Sequence, residues 1–228
     1  MLRAMTMLLR PVGHLLDLAL PPVCAGCGTE GEAICAACLP SVATRLGLPP
    51  GTPLGLAEGP PDPLLQLEWC SPFAGTTRRA LHALKYAGER RLAAPLGAAV
   101  ADRWRRAGCG GELLVPVPVH ESRRRERGYD QASLIAESAA ARLGMPWRVA
   151  VVRTRATTAQ YRLDRRHRAT NVADAFAVDE RARMAVAGQW VVLVDDVVTT
   201  GATLCASARA LLVAGAYAVS AITVARER

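Results

Sequence analysis

The sequence predicts an α/β fold, a parallel sheet flanked by helices, behind a small four-cysteine module at the N-terminal end. Three observations predict it. Val191-Val192-Leu193-Val194 is apolar and largely β-branched with no polar alternation, the pattern of a strand buried on both faces in a parallel sheet. From Leu67 onward, short runs of that kind alternate with helical patterns. Ahead of the first of them, Cys24, Cys27, Cys35 and Cys38 form two closely spaced C-x-x-C units.

A chain of 228 residues can bury one good core and carry a small appendage. Its net charge of +8 comes almost wholly from arginine, because Lys85 is the only lysine. That balance suits an anionic partner, either phosphorylated metabolites or nucleic acid, and does not choose between them.

Residues 1–46 read as a leading helix plus the cysteine module. Met1 to Leu20 is apolar, but Pro11, His14 and Asp17 break it before a signal-peptide core or a membrane span can form. Leu8, Leu15, Leu16 and Leu20 suit one face of a short amphipathic helix, and the chain reads as cytoplasmic. Seven cysteines, an odd count with paired C-x-x-C units, fit metal binding in a reducing compartment better than a disulfide framework. Zinc takes four thiolates tetrahedrally at about 2.3 Å, and a full sulfur shell makes that zinc structural. Gly26 and Gly28 relieve the tight turns. Residues 47–66, dense in proline and glycine, read as a linker, and residues 67–228 as the main domain.

Within that domain, periodicity predicts helices from Thr77 to Ala87 and from Leu92 to Ala107, then a strand from Leu113 to Val119. Glu121 to Tyr129 reads as a loop rich in arginine. A helix over Gln131 to Leu143 stops at Gly144, and a further strand runs from Trp147 to Thr154. A charged loop covers Arg162 to Asn171. The central strand is followed by a helix from about Ala202 to Ala214, stopped by Gly215, and by a last strand from Ala218 to Val224.

The chemistry concentrates after the central strand. Asp195 and Asp196 follow it directly, and the turn Thr199-Thr200-Gly201-Ala202-Thr203 leads into a helix N-terminus. Backbone N–H groups, hydroxyls and the helix dipole there can wrap a phosphate. Two carboxylates cannot face the same anion, so they serve a pair of sugar hydroxyls or a metal. A phosphate with vicinal hydroxyls beside it is a ribose 5-phosphate. The loop bearing Arg123, Arg124, Arg125 and Arg127 can neutralise a diphosphate, and Gly128 lets backbone approach closely. Asp130 adds a negative charge there that requires an arginine or a metal as partner. Lys85 offers a compact charge suited to one phosphate oxygen.

These motifs resemble known ones. Val192 to Thr203 resembles the loop that binds 5-phosphoribosyl pyrophosphate (PRPP) in type I phosphoribosyltransferases. Leu84-Lys85-Tyr86, Pro116-Val117-Pro118-Val119-His120, Arg127-Gly128-Tyr129-Asp130-Gln131, Arg168-Ala169-Thr170-Asn171 and the cysteine cluster resemble the competence-associated ComF family, from about Leu18 to Arg226. The resemblance implies a type I phosphoribosyltransferase-like domain behind a zinc ribbon, binding PRPP or ribose 5-phosphate with Mg²⁺. It places Asp195 and Asp196 as the catalytic pair on the ribose hydroxyls, and Val197, Val198, Thr199, Thr200, Gly201, Ala202 and Thr203 around the 5-phosphate. Arg123, Arg127, Gly128 and Gln131 fall in the pyrophosphate loop, and Lys85, Gln160, Arg168 and Asn171 in lid and auxiliary positions. Phosphoribosyl transfer to an acceptor that the sequence does not name is the implied reaction. The same resemblance implies an alternative without turnover: handling of single-stranded DNA during natural transformation, beside a DNA-uptake helicase. A regulator that senses PRPP is a third class.

Overall fold

A computed structural model describes residues 21–51, 59–153 and 175–227. The predicted amphipathic helix, and Gln160, Arg168 and Asn171, lie outside the described residues. In chain order the helices and strands are α1 (Leu39–Val42), β1 (Leu67–Pro72), α2 (Gly75–Tyr86), α3 (Ala93–Ala107), β2 (Leu113–Pro116), α4 (Glu121–Arg127), α5 (Gln131–Leu143), β3 (Val151–Arg153), β4 (Phe176–Val178), α6 (Arg183–Val186), β5 (Trp190–Val198), α7 (Ala202–Val213) and β6 (Ala218–Arg226). Among the described residues, four strands make a parallel sheet in the order β1-β6-β5-β2, while β3 and β4 form a separate antiparallel pair.

The unbroken apolar runs are buried on both faces, as their composition requires. On one side Leu67, Val115, Leu193 and Ala221 pack with Leu204 and Leu211 of α7. On the other, Leu114, Val192, Val194 and Ile222 meet Leu81 and Leu84 of α2, Leu96 and Val100 of α3 and Ile135 of α5. Each fully buried leucine or isoleucine in these layers contributes about 1.5–3 kcal/mol. None of the described helices is long and apolar enough to cross a membrane.

Three local expectations are corrected. The strand predicted to reach Val119 ends at Pro116, because Pro116 and Pro118 have no N–H for a ladder, although Val117 N–H still reaches the Val194 carbonyl at 2.9 Å. The strand predicted from Trp147 touches the sheet only through one bridge, Trp147 to Leu114, and the chain then leaves to form the β3–β4 pair. A four-residue β2 has little edge for a longer partner. Glu121 to Arg127 is a helix, not a loop. The His120 ring accepts the Ser122 N–H at its start, an ion pair between Glu121 and Arg125 spans one turn, and Gly128 ends it at a φ of 74°.

Packing also crosses the compositional boundary drawn through residues 47–66. Ile34 and Val42 of the cysteine module share the core with Ala80 and Leu81. Arg103 of α3, 1% exposed, donates to the carbonyls of Arg45 (2.7 Å), Leu48 (2.6 Å) and Pro49 (3.1 Å) and to the fully buried Glu68 carboxylate of β1 at 2.6 Å. Gly51 N–H completes that carboxylate's shell at 2.8 Å. Nothing in the local pattern of the sequence announced this buried charge cluster.

Candidate functional site

β5 does not stop at its carboxylates; it runs through them to Val198, still paired with β6 as far as Arg226. The acid pair therefore sits on rigid backbone at the carboxyl edge of the sheet, where α/β folds place ligands. A cavity of roughly 470 Å³ opens there, lined by Asp195, Asp196 and Thr203 of β5 and α7 and by Lys85, Arg123, Arg127 and Gln131 of α2, α4 and α5. That volume lies within the range of small-molecule sites.

Successive positions on a strand face opposite ways, so the two carboxylates have different surroundings. Asp196, 6% exposed, accepts the Val197 N–H at 2.8 Å on Oδ1. Its Oδ2 receives the Lys85 ammonium and, at 3.3 Å, the Gln131 amide. Gln131 in turn accepts from Arg127 at 2.9 Å, which makes a chain of Arg127, Gln131, Asp196 and Lys85. Asp195 accepts the Asp196 N–H at 2.8 Å. Burial first, and then the charge of Asp196, push the Asp195 carboxyl well above the ordinary carboxylate range.

Beside this cavity lies a recess of about 50 Å³, lined by Asp195 and by residues from Val197 to Leu204. Gly201 shapes it: its φ of 80° is the left-handed conformation, and it caps α7. A Cβ there would stand 3.1 Å from Cγ of Pro61. Thr200 Oγ1 accepts the Ala202 N–H at 3.4 Å.

The arginine-bearing part of the lining rests on α4 and α5. Asp130 caps α5, accepting Ser133 N–H at 3.2 Å and Val119 N–H at 3.2 Å. Backbone N–H groups therefore take the place of the arginine or metal partner that the sequence reading required, and burial pushes the Asp130 carboxyl above its usual range. Gly128 lies not in the main cavity but in an adjoining one of roughly 550 Å³, behind Pro118 and Val119. Several lining residues had no site role in the sequence reading, Tyr86 and Arg153 among them. Tyr86, adjacent to Lys85, presents its ring 5.0 Å beneath the Arg127 guanidinium. Arg153, at the end of β3, lies 4.9 Å over Phe176. Burial, then Arg123, hold its guanidinium below the ordinary arginine range. The Leu84-Lys85-Tyr86 motif contained the signal for Tyr86; a lone strand-end arginine contained none.

Away from the cavity, the sulfurs of Cys24, Cys27, Cys35 and Cys38 all lie within 4.8 Å of one another. A tetrahedral zinc with bonds of about 2.3 Å sets its sulfurs about 3.8 Å apart, so the set fits that ion. The Cys35 N–H leads in drawing the Cys24 pKa down to about 6. Cys38 is pushed up to about 12, first by its sulfur contact with Cys35 and then by burial. Only a cation lets four thiolates share so small a space. A Cβ on Gly26 would fall 2.4 Å from the Cys38 sulfur, which makes the glycine obligatory in the knuckle.

Comparison with known proteins fits this geometry. A family model described as the phosphoribosyl transferase domain matches residues 130–228, a span that holds both carboxylates and the recess. The chain is 33% identical over 201 residues to the DNA utilization protein YhgH of Salmonella typhimurium, covering 82% of this chain and 87% of that protein. It is 35% identical over 94 residues to competence protein F of Haemophilus influenzae, covering 41% of each. Competence protein ComFC of Bacillus subtilis is 33% identical over 115 residues, covering 50% of this chain and 44% of that protein.

Proposed function

The chain belongs to the ComF family, and from that premise we propose that its cavity binds PRPP, or a ribose 5-phosphate group, together with Mg²⁺. One observation carries the proposal: an acidic pair stands between a glycine-turned recess and an arginine wall. In this reading the 5-phosphate enters the recess at residues 197–203, on N–H groups at the start of α7. The carboxylates of Asp195 and Asp196 accept from the two ribose hydroxyls. Arg123 and Arg127 neutralise the pyrophosphate, with Arg127 held in place by Gln131 and Tyr86. Lys85 is placed to exchange Asp196 for a phosphate oxygen as the sugar arrives. Mg²⁺, when bound beside the acid pair, supplies further neutralisation of the leaving group. Phosphoribosyl transfer follows where an acceptor reaches the anomeric carbon in the same cavity. Zinc on the four cysteines has a structural role. We place this activity in the cytoplasm and in DNA utilization, for which the relatives are named.

Calorimetry tests the assignment. PRPP should bind the wild type, Mg²⁺ should tighten it, and Asp196→Ala should weaken it at least about tenfold, since charge-assisted hydrogen bonds are lost. Unchanged affinity in Asp196→Ala would refute the site. The exposed arginines of α4 favour a second reading, single-stranded DNA on the same rim. An oligonucleotide that displaces PRPP supports a shared site, and simultaneous binding separates the two.

A further inference from the structure

Arg79, near the middle of α2, reaches into the cysteine module. Its Nε donates to the Ala25 carbonyl at 2.8 Å and its Nη2 to the Gly26 carbonyl at 2.7 Å. Those carbonyls belong to the turn between Cys24 and Cys27. One planar guanidinium can serve both only while that turn keeps its tight shape. Two further contacts join the module to the same helix. The Thr77 hydroxyl donates to the Ser41 carbonyl at 3.3 Å, and Val42 packs in the core with Leu81 and Leu84.

The far end of α2 enters the cavity. Lys85 meets Asp196 there, the Leu84 carbonyl accepts from the Tyr129 hydroxyl, and Tyr86 lies beneath Arg127. A helix of 12 residues is a rod of about 18 Å. This one touches the module at Thr77, Arg79, Leu81 and Leu84 and supplies the acid pair's cation from its last turn. A turn that loosens at the cysteines releases its bonds to Arg79 of α2, the helix whose last turn holds Lys85 against Asp196.

We propose that the four-cysteine module is a metal-dependent clamp on α2, and that Arg79 is a positioning residue which sets Lys85 against Asp196. Metal loss then weakens the ligand site from a distance. By linkage, a ligand that engages the site also tightens metal binding. The proposal rests on the reading of Lys85 and Asp196 as part of a ligand site, but its test needs no ligand.

Lys85 carries the only lysine amine in the chain, so an amine-acylating reagent followed by peptide mass spectrometry reports on it alone. The full-length zinc-loaded wild type, the same protein after chelation, and Arg79→Ala are compared, with Asp196→Ala giving the rate for a lysine without its carboxylate. Zinc content of each sample is measured directly. Lys85 should be protected in the loaded wild type and should react about fivefold faster or more after chelation. Arg79→Ala should show the same acceleration while still holding zinc, and Arg79→Gln, which keeps one donor group, should fall between. Equal rates in the loaded, chelated and Arg79→Ala proteins overturn the clamp. A loaded wild type that fails to bind PRPP overturns only the preceding assignment, because no PRPP enters the acylation measurement.

Discussion

Burial and the neighbouring charge of Asp196 oppose ionisation of Asp195. Its carboxyl is raised in the folded chain, so the folded state binds that proton more tightly than the unfolded state does. The charged form therefore destabilises the fold at any pH above the folded pKa, and the penalty fades as pH falls through that value toward the unfolded one. Asp195→Asn should raise the melting temperature at neutral pH, and the gain should shrink in acid. PRPP affinity should fall in the same variant. A lower melting temperature at neutral pH would mean that the carboxylate stabilises the fold, contrary to its burial beside Asp196. The trade is one that functional sites often carry.

At the scale of elements, the proposed site gives the β5–α7 junction and the α4 arginines separate tasks. Gly201 is left-handed and close to Pro61, so Gly201→Ala should cost about 1–2 kcal/mol of stability and weaken ribose 5-phosphate as well as PRPP. Thr203→Val should likewise weaken both ligands. Arg127→Ala should weaken PRPP far more than ribose 5-phosphate, because only PRPP carries the diphosphate that α4 faces. Parallel titrations of the two ligands against the three variants check this. Equal losses for both ligands in Arg127→Ala would remove the distinction between recess and wall.

At the scale of the molecule, Glu68 and Arg103 join β1, α3 and the segment after the cysteine module in one buried cluster. Removing Arg103 takes two charged bonds from the buried Glu68 and leaves it with Gln66, Gly51 and the more distant Arg45, so Arg103→Ala should destabilise by about 3 kcal/mol in urea unfolding. A loss below about 1 kcal/mol would mean that water or Arg45 satisfies Glu68 alone. The same contacts bear on the 47–66 segment, which by composition reads as a separable linker. A protease site engineered between residues 52 and 58 should yield two fragments that stay together on a sizing column. Fragments that elute separately would show that the module and the main domain are independent bodies.

The sequence by itself determined the parallel α/β class, the position of the acid pair, the knuckle spacing of the cysteines and the bounds of α5 at Gln131–Leu143. These are local properties: an unbroken β-branched run, a turn ahead of a helix, a cap and a left-handed glycine, each written within about a dozen adjacent residues. The order β1-β6-β5-β2, the meeting of Lys85 and Gln131 on Asp196, the bond from Arg79 to the knuckle and the burial of Arg103 on Glu68 came only with the tertiary structure. No periodicity encodes them, because they join side chains from elements far apart in the chain. Which charges meet depends on how helices settle on the two faces of the sheet, and that is decided by packing of the whole core rather than by any one segment.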